Sequence, residues 1–178
     1  MDIAKPILFL CILNAWFVQS VLAEASPDTS YVNATNFLQF CRSNESLLTT
    51  APRGIVLEFP GLDGNSCLGG RQDPLGPYVK SSSGFPEATA RAGLVHLYMT
   101  PGAWSWMNPG VVRITDLVVD AVRTKYALGE TAPLVATGGS MGGLGALVYA
   151  ARSRHHVTAV AAACPCYDVL ATGAGPAC

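Results

Sequence analysis

Between Gly54 and Cys164, short apolar runs alternate with longer stretches of helical periodicity. Gly54–Phe59 (GIVLEF) is a brief β-rich run stopped by Pro60-Gly61, and it predicts a buried strand. Leu94–Met99 (LVHLYM) predicts a second strand, stopped by Pro101-Gly102. The run PLVATG predicts a third, and His156–Cys164 (HVTAVAAAC) a fourth. Helices fall between them. FPEATARAG has a proline near its start and Gly93 past its end, as a short helix does. From Val111 to Ala127, residues Ile114, Leu117, Val118, Ala121 and Val122 share one face, while Arg113, Asp116, Asp120 and Arg123 lie largely on the other. Asn108 is placed to cap that helix ahead of Pro109, and Gly129 to end it. MGGLGALVYAARSR predicts a further long helix. Continuous apolar strands alternating with helices imply an α/β fold, a parallel β-sheet flanked by helices on both faces.

Ahead of this domain the pattern changes twice. Residues 1–23 carry Lys5, a mostly apolar run and then Val21-Leu22-Ala23. Those are the parts of a signal peptide cleaved after Ala23. Asn14 and Gln19 interrupt the run and leave it short of a membrane span of about 20 residues, so no stable span is expected after cleavage. Residues 24–53 are polar and mixed, a leader with at most one short helix near Asn36–Cys41, and residues 54–178 form the domain. The chain is expected to be secreted or otherwise outside the cytoplasm. The sequons Asn33-Ala-Thr35 and Asn44-Glu-Ser46 agree with export. Export also permits disulfides among Cys41, Cys67, Cys164, Cys166 and Cys178, an odd number, so one is free or pairs between chains.

Composition removes several function classes. Of 178 residues, 13% are charged and the net charge is −1, with no basic run to follow a phosphate backbone, so no nucleic acid is expected as partner. No histidine lies near Cys164-Pro-Cys166 to suggest zinc, and no metal or cofactor is expected.

The candidate chemistry lies in LVATGGSMGGLGALVYAA, residues 134–151. Gly138-Gly139-Ser140-Met141-Gly142 fits G-x-S-x-G where a strand turns into a helix. Such a turn holds the serine in strained backbone angles and lifts its hydroxyl above the sheet. Side chains two residues to either side would collide, which accounts for the glycines. The helix that follows aims its first amides and positive dipole end at developing negative charge. A nucleotide site is the rival reading. There is no Gly-Lys-Ser/Thr for a P-loop. TGGSMGGLG nearly fits the TGxxxGxG turn of NAD(P)-dependent oxidoreductases, but Leu144 stands in the last glycine's place, and the turn follows the third strand instead of the first.

Ser140 in GGSMGG, with IVLEFPGLDG upstream and LVHLYMTPGAWSW between, resembles the N-terminal half of an α/β-hydrolase. It is similar to prolyl-oligopeptidase-like serine peptidases and related esterases over about residues 54–168. The resemblance implies Ser140 as nucleophile, a peptide or ester substrate and an acyl-enzyme. It implies the Met141 amide as one oxyanion donor, and Gly61 or Leu62 as the second. Phe59-Pro60 stands where the family has histidine, and a plain connecting turn is the other reading of that loop.

A serine hydroxyl needs a positioned base. The family order, Ser then Asp/Glu then His, leaves His155 and His156, which end the helix begun at the serine. A helix of about 13 residues at 1.5 Å each carries them roughly 20 Å away. His96 lies inside the second strand and reads as a core residue. Asp168 is a candidate acid, with a loop role as alternative; Asp63 and Asp73 precede the serine. The strands that carry the family's usual acid and histidine are absent, so an incomplete α/β-hydrolase fold is expected, inactive as it stands. Its last strand would form an open apolar edge suited to a partner or to self-association. A non-catalytic, hydrolase-like binding fragment is the alternative. Trp104, Trp106 and Tyr98 are candidates for a pocket or for core, and Glu58 and Arg113 have no assigned role.

Overall fold

A computed structural model describes residues 31–61, 65–66, 70–71, 84–100 and 106–165. The signal segment, Leu62, Asp63, Cys67, Asp73, Trp104, Cys166, Asp168 and Cys178 lie outside the described residues. In chain order the elements are β1 (Cys41–Ser43), β2 (Gly54–Phe59), β3 (Asn65–Ser66), β4 (Gly70–Arg71) and α1 (Phe85–Arg91). They continue with β5 (Leu94–Met99), α2 (Pro109–Tyr126), β6 (Leu134–Gly139), α3 (Met141–Arg152) and β7 (Ala159–Ala163). One five-stranded sheet has the order β1-β5-β2-β6-β7, and β3 and β4 form a separate two-stranded ribbon.

β5, β2, β6 and β7 run parallel, as the apolar runs predict. β1 does not: it pairs antiparallel with β5, Cys41 opposite Met99 and Ser43 opposite Leu97, so the sheet is mixed. The expected helix near Asn36–Cys41 is only a 3-10 turn at Phe37–Gln39. What ties this stretch down is side-chain bonding, which periodicity does not register. Thr100 donates to the Phe40 carbonyl from both its amide and its hydroxyl, at 3.0 and 2.9 Å. Asn44, fully buried, accepts from the His96 amide at 2.8 Å and donates to the Pro86 carbonyl at 3.0 Å. Residues read as a leader thus supply an edge strand.

Alternation divides the sheet into two faces. Ile55, Leu57 and Phe59 of β2, Val95, Leu97 and Met99 of β5, and Leu134 and Ala136 of β6 join one apolar core with Val118, Val122, Ala146 and Tyr149 of α2 and α3. Phe59 and Tyr149 rings lie 5.5 Å apart in it. The opposite face carries Val56, Glu58, His96 and Tyr98, all buried, with Phe85 of α1 edge-on to His96 at 5.0 Å. So α1 crosses on one face, and α2 and α3 on the other. β7 is mostly exposed, Val160 at 38%, and is an open sheet edge among the described residues.

The cap of α2 is as expected: the Asn108 side chain accepts from the Val111 amide at 3.1 Å, with Pro109 first in the helix. Its end is not. The helix stops at Tyr126 with Ala127 left-handed at φ 52°, two residues before Gly129. The charged face also differs from expectation, since Asp116 and Arg123 are buried. Arg123 pairs with Glu130. Asp116 accepts from the Tyr149 hydroxyl at 2.9 Å and the Ser153 hydroxyl at 2.6 Å, which fastens the end of α3 to α2.

Candidate active site

β6 ends at Gly139 and α3 begins at Met141, so the whole reversal falls on Ser140. Its backbone sits at φ 53°, ψ −122°, a region that side chains other than glycine seldom occupy. Close packing enforces the turn. A Cβ on Gly142 would stand 2.1 Å from the Phe59 carbonyl oxygen and 2.7 Å from that of Pro60. On Gly138 it would meet the Gly142 oxygen at 2.5 Å and the Phe59 oxygen at 2.7 Å. The two glycines of the motif are therefore where the helix start and the end of β2 touch backbone to backbone. From the other side the end of β7 closes in. The Ser140 amide donates to the Ala163 carbonyl at 2.9 Å, and a Cβ on Gly143 would lie 3.1 Å from the same oxygen.

Strand order gives this turn its position. Along the chain the parallel strands run β2, β5, β6, β7, but β2 and β6 are neighbours in the sheet, with Phe59 level with Gly138. The connections that leave these two strands go in opposite directions, α1 from β2 towards β5 on one face and α3 from β6 towards β7 on the other. That is the topological switch point, the crevice where open α/β sheets bind ligands. Ser140 and the Pro60-Gly61 segment sit on its two sides, both at carboxyl ends of strands. Ser140 is half-buried; Met141 and Gly61 are buried. Met141 opens α3, whose first amides have no acceptor within the helix. Leu62 and Asp168 lie outside the described residues, the latter three positions past Pro165.

All three histidines are described, and none is at this crevice. His96 is in register with Val56, and Val56 with Val135, five residues short of Ser140 and two strands away. Strand rise and spacing put that separation at roughly 19 Å. His155 closes the far end of α3, its Nε2 3.2 Å from the Asp116 carbonyl and 3.3 Å from an Asp120 carboxylate oxygen.

Glu58 now has a place. Its carboxylate lies 2.9 Å from His96 Nε2, both side chains essentially inaccessible, at ion-pair distance but without the alignment of a hydrogen bond. Reading β2 as an apolar run hid this: the partner is two residues off register on another strand, and only the pairing of β2 with β5 brings them together. Tyr98 is buried on the same face. Trp106 is half-buried just before α2, and with Met107 it adopts left-handed backbone, φ 46° and 52°. The Met107 methyl packs beside Gly145 of α3.

No family model, no curated protein and no solved structure matches this chain.

Proposed function

We propose that this chain is a serine hydrolase of α/β-hydrolase type, cleaving an ester or peptide bond through an acyl-enzyme on Ser140. The observation that carries the reading is the conformation of Ser140, φ 53° between two glycines that admit no side chain, at the switch point of the sheet. Strain of this kind costs about 1–3 kcal/mol and persists where something over-determines it.

In the proposed reaction Ser140 Oγ attacks the substrate carbonyl carbon. The carbonyl oxygen gains negative charge and is held by the Met141 amide and by an amide of the loop after β2, Gly61 or Leu62. The C–O or C–N bond then breaks, and the proton lost by Oγ passes to the leaving group through a base. That base is none of His96, His155 or His156. Asp168 is the candidate acid, and with no histidine at Ser140 among the described residues acylation is slow: a site lacking its histidine base keeps about 10³–10⁴-fold over water, from oxyanion hole and binding. The histidine placement is also what favours the second reading, a hydrolase-like binding module with no chemistry. Either fits a secreted protein whose open β7 edge meets a partner or a second copy.

A fluorophosphonate probe separates the two. On the first reading it labels Ser140 weakly, imidazole added as an external base raises the labelling several-fold, and Ser140→Ala abolishes it. Labelling that imidazole does not raise, or that survives Ser140→Ala, rejects the first reading.

A further inference from the structure

A partly open cleft of about 340 Å³ lies at the carboxyl end of β5, away from the contacts that shape the Ser140 turn. Its walls come from three parts of the chain: Tyr31 and Phe40 before the sheet, Met99 at the end of β5, and Val111 and Ile114 of α2. The Tyr31 and Phe40 rings stand 5.4 Å apart, and Tyr31 is 59% exposed, a large aromatic held at a rim.

Three of the polar side chains in the wall, Thr100, Thr115 and Asn108, hydrogen-bond within the protein. The Thr100 hydroxyl donates to the Phe40 carbonyl at 2.9 Å, and the Thr115 hydroxyl to the Val111 carbonyl at 2.8 Å. The Asn108 side-chain oxygen accepts the Val111 amide. A water needs two to four polar partners to be held well, and this wall offers few. Displacing poorly held water by an apolar group gains affinity. The volume falls within the range of small-molecule sites, about 300–1,000 Å³, and is roughly twice that of an engineered 150 Å³ cavity that takes benzene. No Lys, Arg, Asp or Glu lines it among the described residues.

We propose that this cleft is a binding site for a small uncharged ligand with a hydrocarbon body, the size of a two- or three-ring aromatic or a medium-length alkyl chain. Tyr98 and Thr137 both pair with Glu58, so Met99 lies level with Gly138, two strand spacings away. A ligand seated there lies at the same sheet edge as Ser140, about 10 Å along it. The inference stands whether or not Ser140 is a nucleophile.

Phenylnaphthylamine, an uncharged fluorophore that brightens in apolar surroundings, tests it on the full chain. The expected result is saturable one-to-one binding, displaced by decanol at least tenfold more effectively than by decyltrimethylammonium. Ile114→Trp and Val111→Phe each fill the cleft from a half-buried helix position and should weaken binding at least tenfold. Val160→Thr, on the opposite edge of the sheet, should leave it unchanged. Circular dichroism confirms that each variant is folded, and the two filling variants back each other if one is not. Non-saturable binding, or equal binding by both folded filling variants and the parent, overturns the proposal.

Discussion

Replacing Gly142 by alanine puts one methyl group where the fold has no room. Its Cβ would lie 2.1 Å from the Phe59 oxygen, 2.7 Å from the Phe59 carbonyl carbon and 2.7 Å from the Pro60 oxygen. Ordinary contact begins near 3.4 Å, so α3 and the end of β2 must part by over an ångström. All three obstacles are backbone, and Phe59 is also fixed by its register with Gly138. Alanine gains about 1 kcal/mol over glycine in a helix interior. Overpacking of this kind costs about 1–3 kcal/mol, occasionally more. With three backbone obstacles the cost lies at the top of that range, so we expect a net loss of up to about 2 kcal/mol, or complete failure to fold. Gly145, one turn along the same helix, is the internal control. There a Cβ meets the flexible Met107 methyl at 3.3 Å and Phe59 Cβ at 3.6 Å, so helix propensity prevails and Gly145→Ala stabilises by up to about 1 kcal/mol. Urea unfolding followed by circular dichroism reads both. If Gly142→Ala is neutral or stabilising, the backbone contact between α3 and β2 is wrong, and the steric account of the turn falls with it.

The strain at Ser140 predicts that Ser140→Gly raises stability by about 1 kcal/mol in the same assay while Ser140→Ala does not, since only glycine is at ease at positive φ; equal effects would refute it. Burial, reinforced by the Glu45 charge and offset in part by Arg42, pushes the Cys41 thiol up from 9.0 to about 12. Between those values the unfolded chain gives up a proton that the native thiol keeps. The Cys41 contribution, intact below pH 9.0, is thus lost at about 1.4 kcal/mol per pH unit. Cys41→Ala should flatten the fall in urea midpoint over that window, and an unchanged slope would contradict the assignment. Expressed in a secreting host, the mature chain should begin near Glu24; N-terminal sequencing that finds an intact Met1 on membrane-embedded protein would identify an anchor.

The central strands were legible because a parallel strand buried on both faces reads as a nearly continuous apolar run, and Gly54–Phe59 and Leu94–Met99 begin and end where the sequence pattern places them. The turn at Ser140 was legible because steric exclusion writes glycine into fixed positions. β1 was not: three residues with one buried side chain carry no period, and its place is set by bonds from Thr100, over fifty residues away, and from Asn44, held by His96, which is as distant. The Ala127 cap was not, because nothing in an alanine announces positive φ. Nor was the Glu58–His96 pair, which exists only once two strands are in register. Asp116 read as a solvent-facing charge because its partners, Tyr149 and Ser153, arrive from another helix.

The most direct measurement is to trap the acyl group. With no histidine near Ser140 among the described residues, deacylation is expected to be slow along with acylation, so an activated acetyl ester that acylates the serine should leave it acetylated. Incubated with p-nitrophenyl acetate alone, with no external base to speed deacylation, the chain should slowly gain one acetyl group by intact mass. Peptide mapping should place it on Ser140, and Ser140→Ala should not acquire it. A chain that gains no acetyl at Ser140, or a Ser140→Ala variant that gains as much as the parent, would contradict the claim that this serine is a nucleophile.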